Sequence, residues 1–288
     1  MRDIEFQSPP TLEDLCQLLA ERKGTIIAGG TDLIPKMQRM GVSNPFLVDL
    51  SRIPQLRFLE SNQKKIRIGS LITFNEIARS EIVQRGAHLL ADAARAVGSE
   101  QIRNRGTLGG NVANASPAGD SLPPLLVLDA ELILLSKFGE RIVPLSRMLL
   151  GPGETAIAEN EVIHSICINQ LDNDTRSCFL RLGNRQGKSI AVVSVAVALK
   201  LDEQGCIEDL RLALGAVAPT AMRCVNIENE FIGEQISIEL IGEVAEKASR
   251  DCSPINDVRG TANYRRHVVK QYVARGLRAA AGIDGSGV

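Results

Sequence analysis

Apolar residues recur along this chain with two different periods, and the changes of period divide it. After Pro9 and Pro10, Thr11 with Asp14 three residues on makes a capping-box pattern, and Leu12, Leu15, Cys16 and Leu19 follow on one helical face, predicting a helix that ends near Gly24. Thr25 to Ala28 is short, apolar and β-branched and runs into Gly29-Gly30; Leu33, Met37 and Met40 then return to helical spacing. Strand, glycine turn and helix is the simplest reading, with Pro35 tolerated in the first helical turn and Gly41 suited to the stop. Phe46 to Leu50 and Ile66 to Ile68 read as strands, Thr73 and Glu76 open a capped helix through Ile77, and Leu89 to Val97 is a helix rich in Leu and Ala.

The stretch Gln101 to Asp120, QIRNRGTLGGNVANASPAGD, fits neither period. It is dense in Gly, Asn, Ser and Thr without being low-complexity, and is expected to be a long ordered loop; loops of that length inside a compact domain tend to be functional. A strand resumes at Ala130 to Ser136. From about Glu161 an antiparallel pattern takes over: Val162 to Ile168, Phe179 to Leu182, and Ile190 to Leu201 joined across Asp202-Glu203-Gln204-Gly205 to Ile207 to Leu214. Two apolar helical faces close the chain, one through Ile238, Ile241, Val244, Ala245 and Ala248, the other through Tyr264, Val268, Val269, Tyr272, Val273 and Leu277. The expected division is an α/β part at 1–56, a second α/β part at 57–175 and an α+β part at 176–288.

Composition narrows what such a chain can do. With 33 Lys plus Arg against 34 Asp plus Glu there is no basic field to draw it to nucleic acid, and no run of about 18 apolar residues could span a membrane, so a cytoplasmic protein is expected. Cys16, Cys167, Cys178, Cys206, Cys224 and Cys252 include no C-x-x-C pair, so their spacing encodes neither a zinc site nor an iron–sulfur cluster; reduced, mostly buried thiols are expected. His88, His164 and His267 lie far apart and are read as surface or core residues, and no catalytic side chain is assigned.

Two glycine pairs carry the candidate chemistry: Gly29-Gly30 in AGGTDL and Gly109-Gly110 in TLGGN. Glycine allows close approach of backbone to a phosphate and positive φ, so that successive N–H groups can form an anion nest, to which the helix after Asp32 would add its N-terminal dipole. Thr31, Asn111, Ser116 and Thr107 can donate side-chain hydrogen bonds, and Asp120 can accept from ribose hydroxyls. Neither pair lies in a P-loop or a G-x-G-x-x-G fingerprint, so the residues alone define a two-loop nucleotide cradle.

That combination resembles a family. AGGTDL, Ala28 to Leu33, and Gln101 to Asp120 are similar to the two FAD-pyrophosphate segments in the flavoprotein (medium) subunits of the molybdenum hydroxylases, which include xanthine, nicotinate and carbon monoxide dehydrogenases. Phe179, Arg181 and Arg185 resemble the family's F/Y-x-K/R-x-x-x-R element, and Gly215 to Thr220 its GAVAPT-like strand end, so the likeness covers nearly the whole chain. It implies an α+β fold of the vanillyl-alcohol-oxidase type: two α/β subdomains with FAD between them, and a C-terminal antiparallel sheet with helices facing the flavin ring. Ala28, Gly29, Gly30, Thr31, Asp32 and Leu33, with Thr107, Gly109, Gly110 and Asn111, would wrap the pyrophosphate, and Asn114, Ser116 and Asp120 would lie along the same cofactor. The implied partners are a molybdopterin-binding large subunit, a small subunit with two [2Fe-2S] clusters and an external electron acceptor, NAD among the candidates.

Departures from the pattern temper individual residues. Phe179 stands where many members carry Tyr, Ser189 where many carry an acid, and Arg181 and Arg185 read equally well as solvated strand residues. AGGTDL, in place of an AGGHSL-like version, leans towards members acting on purines or N-heterocycles. Two alternatives stay open: a self-sufficient flavin oxidoreductase of the same fold, and a nucleotide-binding scaffold subunit that has lost FAD.

Overall fold

The computed structural model describes residues 4–41, 44–184 and 189–283. The chain is 38% helical and 29% strand, an α+β architecture of three main sheets. The first sheet is parallel, in the order β1-β3-β2: β1 (Glu5–Gln7), β2 (Thr25–Ile27) and β3 (Phe46–Asp49). Helix α1 (Leu12–Glu21) joins β1 to β2. Thr11 caps it by accepting from the Asp14 N–H, and it buries Leu15, Cys16 and Leu19 over a core that includes Phe46 and Val48. Helix α2 (Leu33–Met40) joins β2 to β3, ends at Gly41 with φ of 80°, and buries no residue at all.

The second sheet is antiparallel, in the order β4-β5-β10-β6-β7, from β4 (Leu59–Ser61), β5 (Lys65–Gly69), β6 (Glu131–Ser136), β7 (Gly139–Pro144) and β10 (Val162–Asn169). A small hairpin, β8 (Leu149–Gly151) with β9 (Glu154–Thr155), follows the short helix α9 (Leu145–Met148). The chain between β5 and β6 is helical: α3 (Phe74–Arg79), α4 (Glu81–Gly86), α5 (His88–Ala96), α6 (Glu100–Arg103), α7 (Leu108–Asn114) and α8 (Leu122–Val127). Helix α3 has a complete capping box, Thr73 Oγ1 accepting from the Glu76 N–H while the Glu76 carboxylate accepts from the Thr73 N–H at 2.8 Å.

The expectation of a long loop over 101–120 is corrected here. Ser99 and Thr107 are side-chain N-caps, and each starts a short helix; α7 ends at Ala115 in the left-handed conformation, φ 43°. A serine or threonine cap satisfies orphan N–H groups at a helix start, which lets a glycine-bearing segment be helical despite its low propensity. Helix α8, LPPLLV, was also not expected; its prolines fall in the first turn, where a missing N–H is harmless.

The third sheet is antiparallel, β11 (Arg176–Gly183), β12 (Ala191–Leu201), β13 (Ile207–Gly215) and β14 (Met222–Arg223) in that order. Strand β12 is apolar on both faces because it is covered on both. Val193, Val195, Val197 and Leu199 pack under α11 (Ile238–Asp251) and α12 (Ala262–Ala281), near the short α10 (Val225–Glu230), while Ala196 and Ala198 join the core beneath α5 and α8. Alanine on that face lets the third sheet approach the helices of the second, and Ser189 and Ile190, just before β12, line the cleft described next.

A candidate FAD-binding cleft between two glycine segments

All thirteen residues singled out from sequence line one cleft of about 560 Å³, within the range of roughly 300–1,000 Å³ typical of small-molecule sites. Ala28, Gly29, Gly30, Thr31, Asp32 and Leu33 arrive from the turn between β2 and α2, and Thr107, Gly109, Gly110, Asn111 and Asn114 from α7. Ser116 and Asp120 follow in the turns before α8. The apolar part of the wall includes Leu50, Leu71, Phe74, Ile157 and Ile163.

The four glycines do different work. A Cβ on Gly29 would stand 2.0 Å from the Arg105 carbonyl oxygen, so this glycine is what lets the two segments touch each other. Gly30 has φ of +72°, the left-handed region that favours glycine. A Cβ on Gly109 would meet Ser70 Cβ at 2.6 Å, so Gly109 is fixed by packing against the end of β5. Gly110 is exposed in the cleft, has no positive φ, and its Cβ would meet only Thr107 Oγ1 at 2.9 Å. The expectation of positive φ is therefore met at Gly30 and not at Gly29, Gly109 or Gly110.

The backbone donors differ in the same way. Into α2 the first bond is Ile34 N–H to Gly30 O at 3.0 Å, which leaves the N–H groups of Thr31, Asp32 and Leu33 without intrahelical acceptors at the cleft wall. In α7 the early N–H groups are occupied: Leu108 donates to Ile72 O at 3.0 Å, Gly109 to Ser70 O at 3.1 Å, Gly110 to Thr107 Oγ1 at 3.1 Å and Asn111 to Thr107 O at 3.0 Å. The second segment is thus not the amide nest that its glycines suggest. It offers a bare Cα at Gly110 and the side chains of Asn111 and Asn114. Asn111 Oδ1 already accepts from Ser121 Oγ at 2.7 Å, which turns its NH₂ into the available group, and Ser116 Oγ accepts from the Ala118 N–H at 3.3 Å.

Asp120 is buried, and its Oδ1 accepts from Arg181 Nε at 2.9 Å. Arg181 also donates to the Ser189 carbonyl. Burial pushes the Asp120 carboxyl up to about 6, against the opposing pull of the Arg181 charge and hydrogen bond. Arg181 is consequently no solvated strand residue, since its side chain is 12% exposed and is held by Asp120 and the Ser189 carbonyl, both on residues that line the cleft. Phe179 packs half-buried against the central core, and Arg185 lies outside the described residues.

Sequence reasoning missed several wall residues. Ser70 is buried with its hydroxyl unpartnered; it sits at the end of β5, where nothing in GSLITF distinguishes it. Lys36 reaches the cleft from α2, and Glu161, whose carboxylate is held below its usual range by Arg141 at 2.5 Å, reaches it from the turn before β10. The cysteines are free thiols, four of them buried, and desolvation raises Cys178 to about 12 and Cys252 to about 11, so these two are inert thiols at neutral pH.

An extended, largely apolar cleft with unpaired helix-start N–H groups, a glycine open to close approach and no lysine clamp on a phosphate loop fits a neutral-donor cradle for a dinucleotide. Residues 2–170 match the family described as FAD binding domain in molybdopterin dehydrogenase, and residues 179–280 the one described as CO dehydrogenase flavoprotein C-terminal domain. The chain belongs to the FAD-binding medium subunits of the molybdenum hydroxylases. Its cofactor is FAD and its class is oxidoreductase.

Similar proteins include the glyceraldehyde dehydrogenase medium chain of Sulfolobus acidocaldarius, 32% identical over 88% of this chain and 90% of that one. The carbon monoxide dehydrogenase medium chain of Hydrogenophaga pseudoflava is 31% identical over 96% of each. Among solved structures, carbon monoxide dehydrogenase from Hydrogenophaga pseudoflava superposes with a TM-score of 0.92 over 97% of each chain at 31% identity, and quinoline 2-oxidoreductase from Pseudomonas putida 86 with 0.91 at 26%. The vanillyl-alcohol-oxidase-type arrangement implied by the family resemblance is this shared fold.

Proposed function

We propose that this medium subunit is the electron-transfer flavoprotein of a cytoplasmic complex that also contains a molybdopterin-binding large subunit and a small subunit with two [2Fe-2S] clusters. Bound FAD would take electrons from the iron–sulfur partner and pass a pair to an external acceptor, with NAD as one candidate. The observation that carries the reading is the meeting of Ala28–Leu33 and Thr107–Asp120 on one cleft whose polar groups bind and orient. Thr31, Asp32 and Leu33 would present N–H groups to the pyrophosphate, Gly110 would let it approach, and Asn111, Asn114, Ser116 and Asp120 would fix the remainder of the cofactor. The division at 1–56, 57–175 and 176–288 then assigns two parts to holding FAD and the third to facing its ring.

Support for dependence on partners comes from the chain's own chemistry. The two buried carboxylates of the cleft wall, Asp120 and Glu161, each accept from an arginine of this chain, so both are engaged within the protein. Free cysteines accord with a reducing compartment. Relatives at 29–32% identity are named for xanthine, nicotine and nicotinate as well as for glyceraldehyde and carbon monoxide, so the leaning towards purines or N-heterocycles remains an expectation. The test is anaerobic mixing of the FAD-loaded chain with a reduced two-cluster partner, followed at the flavin absorption band. Rapid bleaching by the partner, and none by simple aldehydes, alcohols or acids alone, is expected. Direct bleaching by such a small substrate would replace this reading with the self-sufficient flavin oxidoreductase.

A further inference from the structure

Arg265, in the first turn of α12, is the largest fully buried side chain of the described residues, 1% exposed, and it lies outside the cleft. A charge placed there carries a desolvation cost of several kcal/mol unless its hydrogen bonds are well made. Its Nη1 donates to Ala216 O at 2.7 Å and to Val192 O at 3.1 Å, and its Nη2 to Asp257 Oδ1 at 2.6 Å. Neither Ala216 nor Val192 lines the cleft, but each is joined to a segment that does. Ala216, held at φ of 63°, donates its own N–H to Pro117 O at 2.7 Å, and Pro117 sits inside the cleft turn from Ser116 to Asp120. Val192 follows Ser189 and Ile190, which line the cleft, and the Ser189 carbonyl receives Arg181, the partner of Asp120.

We infer that Arg265 is a positioning residue for FAD: a buried guanidinium that ties the end of β13 and the start of β12 together and thereby sets the Ser116–Asp120 turn and the Arg181–Asp120 pair against the cofactor. The inference rests on the FAD site proposed above. A planar fork can span two carbonyls and a carboxylate, and an ammonium cannot. Arg265→Lys therefore keeps the charge beside Asp257 and loses the tie. Val273→Ala is the comparison, because Val273 is buried in the same helix and lines no part of the cleft. It loosens the third sheet's core without touching the tie.

Each full-length variant is stripped of flavin and titrated with FAD by fluorescence quenching, at a temperature where circular dichroism shows it folded. Arg265→Lys is expected to weaken FAD binding at least about tenfold and to alter the shape of the flavin band, whereas Val273→Ala changes affinity less than about twofold despite an earlier melt. Should Arg265→Lys fail to fold, Asp257→Asn, which removes the counter-charge and leaves both carbonyl bonds, is expected to weaken FAD about three- to tenfold. FAD affinity within about twofold of the parent in the folded Arg265 and Asp257 variants overturns the inference, as does equal weakening by Val273→Ala at an equal loss of melting temperature. A parent chain that takes up no FAD refutes the site itself, a distinct outcome.

Discussion

The two glycine segments look alike on paper and are built in opposite ways. In AGGTDL the backbone faces the cleft: Gly30 turns at φ +72°, and the N–H groups of Thr31, Asp32 and Leu33 have no intrahelical acceptor. In TLGGN the N–H groups of Leu108 to Asn111 are already consumed by Ile72, Ser70 and Thr107, and what remains is space above Gly110 and the amides of Asn111 and Asn114. Within each pair, one glycine serves the protein and one serves the cleft. A doubled glycine is thus no reliable sign of an amide nest; the partners of each N–H decide.

The largest effect is expected at Gly29. An alanine Cβ would overlap the Arg105 carbonyl oxygen at 2.0 Å, and backbone on backbone cannot yield as a side-chain tip can. Gly29→Ala should separate the two segments, costing about 3 kcal/mol of stability and all FAD binding. A thermal melt with the flavin-to-protein ratio reads both, and a variant that melts like the parent with full flavin would dissolve the contact.

Gly110→Val should divide what Gly29→Ala joins. Gly110 lies in an exposed helical position without positive φ but with the Thr107 cap hydroxyl 2.9 Å from a Cβ, so the variant should lose about 1–2 kcal/mol of stability while FAD affinity drops at least tenfold. Gly139→Val is the mirror case. At φ +128°, in an open turn with nothing within 4 Å of a Cβ, it should cost about 1–3 kcal/mol of stability and leave flavin at one per chain. Stoichiometric FAD on Gly110→Val would remove the second segment from the site.

Sequence legibility followed the same line between local and non-local causes. The caps at Thr11 and Thr73, the hairpin across Asp202 to Gly205 and the apolar faces of α11 and α12 depend on neighbours within a few residues, and each was readable. The thirteen cleft residues were readable because both segments are compact motifs. What could not be read were meetings of distant chain: Asp120 with Arg181, Gly29 with Arg105, Ser70 beneath Gly109 and the buried Arg265. The loop expected over 101–120 failed for a local reason, the power of Ser99 and Thr107 as caps to hold a glycine-bearing segment helical.

Asp120 gives the second segment a pH dependence. With its folded-state value raised to about 6 from 3.8, the neutral form is favoured by folding, so its contribution to stability is fully present below pH 3.8 and is lost as pH rises through about 6. Asp120→Asn should flatten that part of the stability profile, removing a fall of about 2–3 kcal/mol between pH 4 and 6. Denaturant melts at half-unit intervals of pH would show it, and parallel profiles for parent and variant would mean that Arg181 holds the carboxylate ionised throughout.

The smallest expected effect belongs to the first segment and concerns salt. Lys36 is the cationic side chain that α2 brings to the cleft, it is exposed, and the wall carboxylates of Asp120 and Glu161 already have arginine partners. An exposed ammonium near a doubly charged pyrophosphate acts through water, where the interaction is worth about 1 kcal/mol or less and is screened within about 10 Å at 0.1 M salt. Lys36→Met should therefore weaken FAD about two- to fivefold at low ionic strength and hardly at all at 1 M salt, where the Debye length is about 3 Å. The parent's own affinity should show the same modest salt slope, and the variant should lose it, because the remaining donors are neutral N–H and amide groups whose bonds salt does not screen. A salt slope that survives in Lys36→Met would mean that another cation reaches the pyrophosphate, and the picture of AGGTDL as a neutral backbone cradle assisted by a single remote charge would have to give way.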